Sequence, residues 1–71
     1  VLGREAVAWY ETALQALREP TRPAIVCRLE LDCSYDELAQ TLNKPNAPAA
    51  RQTVSRALRR LAEEMGRARR A

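Results

Sequence analysis

SYDELAQTL at residues 34–42 and APAARQTVSRALRRLAEEM at residues 47–65 are separated only by Asn43-Lys44-Pro45-Asn46. Each stretch carries its own start signal. Ser34 followed three residues later by Glu37 is a capping box, in which hydroxyl and carboxylate each accept from the other residue's amide. Asn46 precedes Ala47-Pro48, a cap followed by a proline in the first turn, where a missing amide hydrogen costs little. Leu38, Ala39 and Leu42 share one face of the earlier helix. Ala50, Val54, Ala57, Leu58, Leu61 and Met65 form the buried stripe expected of the later one. Gly66 is its expected stop, with residues 67–71 as a frayed basic tail. Two helices across a tight turn form a helix-turn-helix, and the expected fold is a small all-α, four-helix domain that ends in one.

The N-terminal half supplies the other two helices. Ala6, Trp9, Tyr10, Ala13, Leu14 and Leu17 recur at three- and four-residue spacing, which predicts a helix from Arg4 to Arg18. Glu19-Pro20-Thr21-Arg22-Pro23 then breaks the pattern. Thr21 is the expected cap of a second helix, with Pro23 in its first turn. That helix carries Ile25, Val26, Leu29 and Cys27 and ends near Leu31-Asp32.

Composition narrows the function classes. The chain has 71 residues, no histidine and two cysteines. It is expected to form a single domain over residues 1–71, without room for a deep substrate cleft. Cys27 and Cys33 alone cannot complete a tetrahedral zinc site, so no metal or other cofactor is expected. Cys27 reads as a small buried apolar residue and Cys33 as a partly covered one. No titratable pair is set for acid–base or nucleophilic work, so no enzymatic activity and no small-molecule substrate are expected. Charges interrupt every apolar stretch, which argues against a membrane span and makes the cytoplasm the default location.

The net charge of +3 conceals a strong asymmetry. Residues 1–43 hold four arginines against seven acids, whereas residues 44–71 hold Lys44 and seven arginines against Glu63 and Glu64. An acidic half followed by a basic one is the charge footprint expected of a nucleic-acid reader. The last helix is where the positive charge concentrates. Its apolar stripe must pack inward, leaving Arg51, Gln52, Ser55, Arg56, Arg59 and Arg60 on or near the outer faces. An α-helix with such a face fits the major groove of a duplex. Arg51 and Arg56 can each offer two hydrogen bonds to a guanine, and Gln52 can pair with adenine. Ser55 lies beside them. A solvated arginine-rich surface is the plainer reading of the same residues.

These stretches resemble region four of bacterial RNA polymerase sigma factors, most closely the extracytoplasmic-function type. The likeness runs from about Leu14 to Met65. SYDELA, near the family's SYEEIA, and RALRRL are its most specific pieces, and ALREPTRPAI resembles the stretch before the family's second helix. The resemblance implies that the chain is the C-terminal part of a longer sigma factor and binds double-stranded promoter DNA at the upstream −35 element. It carries the DNA contacts to Arg28, Tyr35, Asp36, Arg51, Gln52, Ser55 and Arg56. Arg28 would hold a phosphate from the end of the second helix. Tyr35 and Asp36 would meet the backbone at the start of the third, unless Tyr35 only covers the core and Asp36 only favours the helix N-terminus. The chain departs from the family where Pro48-Ala49-Ala50 replaces Gly-Thr-Val and where Thr53 replaces a frequent Arg.

The resemblance also implies two protein partners, the flexible flap of the polymerase β subunit and an anti-sigma factor. Trp9, Tyr10, Leu14 and Leu17 are the candidate partner-facing residues, although the same stripe reads mostly as core. Two other readings fit the residues. One is the output domain of another helix-turn-helix regulator, dimerising through its last helix. The other is an interaction module of this fold without DNA binding, which the Ala-rich start of the last helix favours.

Overall fold

The computed structural model describes residues 3–71. Four helices follow one another: α1 (Arg4–Ala16), α2 (Thr21–Ile25, running on into a π-helical turn over Val26–Glu30), α3 (Tyr35–Thr41) and α4 (Ala47–Arg70). The fold is all-α, as the periodicities predict. α4 is the spine, against which α1, α2 and α3 all pack.

Short, mostly small side chains make that packing close. Ala13, Leu17, Ala24, Ile25, Cys27, Leu38, Ala39, Ala50, Val54, Ala57 and Leu61 form the buried core. α4 contributes Ala50, Val54, Ala57, Leu61 and Glu64, alternating steps of four and three along one side of the rod. That register differs from the expected stripe at its far end. Leu58 lies at the edge and is 40% exposed, Met65 is half-buried, and Glu64 is 7% exposed. The buried carboxylate is compensated: Glu64 Oε2 lies 3.0 Å from Arg60 and 3.4 Å from Arg67. A buried charge needs such partners to remain ionised at tolerable cost.

The helix ends explain several boundaries. α1 stops two residues before the expected Arg18, because Arg22 takes over its C-terminal carbonyls. Arg22 Nε donates to Leu14 O at 3.0 Å and Nη2 donates to Gln15 O at 2.7 Å. A charged fork thus satisfies acceptors that the helix leaves orphaned. Thr21 is not the cap of α2. Pro20 occupies that position and no side chain caps the helix.

α2 also departs from a regular helix at Val26, where hydrogen bonds widen to the i→i+5 pattern, as in Leu31 N–H to Val26 O at 3.1 Å. The extra residue in the turn breaks the alignment of Leu29 with Ile25. Ile25 and Cys27 are buried, while Leu29 is 51% exposed. Tyr10 ties this segment to α1, its hydroxyl donating to Glu30 Oε2 at 2.8 Å. Partial burial, with Glu30 as acceptor and neighbouring negative charge, pushes the Tyr10 phenol up to about 12.

The α3–α4 corner follows the sequence signals closely. Ser34 Oγ accepts from Glu37 N–H at 3.1 Å, and Glu37 Oε1 accepts from Ser34 N–H at 2.8 Å. Donation by Ser34 to the charged form, from its amide first and its hydroxyl second, holds the Glu37 carboxyl below the usual range. α3 closes in a Schellman motif, with Lys44 N–H donating to Ala39 O at 2.7 Å and Asn43 N–H to Gln40 O at 3.2 Å. Asn43 takes the left-handed conformation this requires, at φ 57°. Asn46 Oδ1 then accepts from Ala49 N–H at 3.0 Å to start α4. Gly66 does not stop it. The helix runs through to Arg70, with Arg67 paired to Glu64 one turn back and Arg69 over the Trp9 ring. No helix of the described residues is long and apolar enough to cross a membrane.

Candidate nucleic-acid interface

The outward side of α4 is built by elimination. With Ala50, Val54, Ala57 and Leu61 turned into the core, Arg51, Gln52, Ser55 and Arg56 are all exposed. Arg59 joins them on the same side, one turn beyond Ser55. Thr53 does not. Its hydroxyl donates back to Ala49 O at 3.1 Å, and the residue is half-buried.

Three of the candidate contacts meet at one aromatic ring. The guanidinium carbon of Arg28 lies 4.4 Å from the Tyr35 ring centroid, and that of Arg51 lies 4.9 Å from it. Arg28 comes from the π-helical turn, Tyr35 from the first position of α3 and Arg51 from the first turns of α4. Residues 7 and 16 apart in sequence with respect to Tyr35 are thereby gathered at one edge of α4. Arg28 Nη1 is further fixed by donating to Cys33 O at 2.9 Å. Two like charges gathered on one ring, both tied to the π-face, are pre-positioned for an anion and favour one electrostatically.

Asp36 is exposed beside Tyr35, in the first turn of α3. A carboxylate there favours the helix N-terminus and repels a phosphate brought to the same place. Cys27 is buried and Cys33 half-buried, and both are free. Burial and the neighbouring Cys27 push the Cys33 thiol up, away from the reactive thiolate. Among the described residues no group of three or more metal-ligating side chains stands together.

The candidate partner-facing stripe of α1 divides. Leu17 is sealed in the core at 3% exposure and offers no surface to a partner. Tyr10 and Leu14 are half-buried against that core. Trp9 is half-buried but stands apart from the core cluster, with the Arg69 guanidinium 5.6 Å from its ring centroid.

One further cluster forms only in the folded chain. Ala16, Leu17, Arg18, Thr21, Arg56 and Arg60 line a groove where the α1–α2 corner meets the middle of α4. The four-residue spacing of Arg56 and Arg60 places them on one face, a signal that the sequence does carry. Arg18 joins them only through the tertiary fold.

No family model, no curated protein and no solved structure matches the chain.

Proposed function

We propose that this chain is a promoter-recognition domain, the region-four part of a sigma factor, which binds double-stranded DNA at the −35 element and performs no chemistry. The observation that carries the reading is the two-sidedness of α4. One side is core, and the other presents Arg51, Gln52, Ser55 and Arg56 to solvent beside the Arg28–Tyr35–Arg51 cluster. Arg51, Gln52 and Arg56 read base edges; Arg28 and Tyr35 seat the backbone; Ser55 serves either role. The domain works in the cytoplasm, and its protein partners are the polymerase β-subunit flap and an anti-sigma factor. Trp9 is the member of the α1 stripe best placed to meet one of them.

Fluorescence anisotropy with labelled duplexes tests the reading. Binding should weaken steeply with salt, because each phosphate contact displaces condensed counterions. A chain that binds no duplex even at low salt is not a DNA-recognition domain.

A second reading is favoured by the length of α4. The helix continues to Arg70 and carries the 40%-exposed Leu58. Both features suit a regulator output domain that dimerises through its last helix. Native mass spectrometry separates the two: a stable homodimer favours the regulator, a monomer the sigma domain.

A further inference from the structure

Arg51 and Arg60 stand nine residues apart on α4, which is about two and a half turns and places them on opposite flanks of the rod. On the Arg51 flank lies the cluster with Tyr35 and Arg28. On the Arg60 flank lies the groove with Arg56, Arg18 and Thr21. No acidic residue lines that groove. Arg60 lines it while paired with the buried Glu64 at 3.0 Å, whose second partner is Arg67, and with the exposed Glu63 at 3.8 Å. Arg18 is exposed, and none of the described side-chain hydrogen bonds or ion pairs uses it.

A helix with its side chains is about 10–12 Å across, and the major groove is about 12 Å wide. A helix laid in that groove therefore faces one phosphate strand on each flank. We propose that the groove of Arg18 and Arg60, bordered by the base-reading Arg56, is a second backbone seat, which grips the phosphates of the strand opposite to the one held by Arg28 and Tyr35. The inference rests on the DNA-binding reading and deepens it. It brings the α1–α2 corner, outside the helix-turn-helix, into the interface. Arg18 is then a phosphate-binding residue supplied by the end of α1, and Thr21 offers a hydroxyl to the same strand.

The test is ethylation interference and salt-dependent anisotropy on the full chain, comparing wild type with Arg18→Ala, Arg18→Glu and Arg18→Lys. Wild type should show blocked phosphates on both strands. Arg18→Ala should lose one blocked phosphate, on one strand only, weaken every duplex sequence alike, and lower the slope of log affinity against log salt by about 0.9. Arg18→Glu should weaken binding further, and Arg18→Lys should restore most of it. Since Arg18 is exposed, thermal melts of the variants should overlay that of wild type. If wild type binds duplex and all three variants match it in affinity, slope and interference pattern, the second seat is wrong while the DNA reading stands. If wild type binds no duplex, the DNA reading fails and the seat fails with it.

Discussion

The Arg28 guanidinium lies 4.4 Å from the centre of the Tyr35 ring while its Nη1 donates to the carbonyl of Cys33 at 2.9 Å. One side chain thus fastens the end of α2 to the loop before α3 and leaves its charge half-exposed beside Arg51. A cation held in this way costs less entropy to bring to a phosphate than a free one, since its rotamers are already restricted.

Tyr35→Ala should therefore weaken both the fold and the interface. Two cation–π contacts at a half-exposed ring are worth roughly 0.5–1 kcal/mol each, and the ring also packs against the core, so the loss of stability should be at least about 1–2 kcal/mol, read by urea denaturation. Tyr35→Phe keeps the ring and should retain most of it. In DNA binding, Tyr35→Ala should weaken all sequences alike. A change confined to one base position would show that Tyr35 reads sequence directly.

Arg51 and Arg28 should separate in the same assay. Arg51→Ala should lose discrimination at one base pair, by about 1–3 kcal/mol for a bidentate contact. Arg28→Ala should lower affinity uniformly and also destabilise the chain, because it releases the Cys33 carbonyl as well as Tyr35. A panel of duplexes carrying single substitutions distinguishes the two. Unchanged preference in Arg51→Ala would remove it from the base-reading set.

Local signals were legible where chemistry between near neighbours decides the outcome. Ser34 with Glu37 and Asn46 with Ala49 form the caps that their spacing predicts. Asn43 ends α3, as a residue tolerant of left-handed backbone should. Tertiary partners decided the rest. Arg22 shortens α1 from eight residues away, and the widened turn after Ile25 exposes Leu29, which a regular helical period turns inward. Glu64 joins the buried stripe because Arg60 and Arg67 neutralise it, while Met65 packs half-buried against the core. Of the interface, periodicity alone finds the outward side of α4. The meeting of Arg28 and Arg51 on Tyr35, and of Arg18 with Arg56 and Arg60, depends on the folded corners.

The capping box makes α3 sensitive to acid. The folded Glu37 carboxyl titrates below its unfolded range because Ser34 donates to its charged form. Its contribution is thus fully present above the ordinary carboxylate pKa of about 4.3 and is lost as pH falls through the lower, folded value. Glu37→Gln should be less stable than wild type at pH 7, and the difference should shrink as the pH falls below about 4. Denaturant midpoints measured from pH 7 to pH 2 follow it. A difference that stays constant across this range would mean that the charge of Glu37 contributes nothing.

Asn43 sets the turn between the two helices of the motif, at φ 57°. A β-branched residue resists that conformation. Asn43→Val should destabilise the chain by about 1–2 kcal/mol, the cost of placing an ordinary L-residue there, whereas Asn43→Gly should be nearly neutral. Because the turn fixes how α3 meets α4, Asn43→Val should also weaken DNA binding more than its loss of stability explains. Equal stability of the two variants would mean that the turn relaxes out of the left-handed region.

Gly66 offers the sharpest test of where α4 ends. A glycine that terminates a helix at positive φ resists replacement by alanine, while one in a helix interior is improved by it. Gly66 lies inside α4, and a Cβ added there would meet only the far end of the Arg70 side chain, Nη1 at 3.3 Å. That guanidinium can move aside. Gly66→Ala should therefore stabilise the chain by about 0.5–1 kcal/mol and raise its helical circular dichroism. It should also tighten the last turn, which carries Arg69 over Trp9, and so reduce the solvent quenching of Trp9 fluorescence. A destabilised Gly66→Ala would place the end of the helix at Gly66 and detach Arg69 from Trp9.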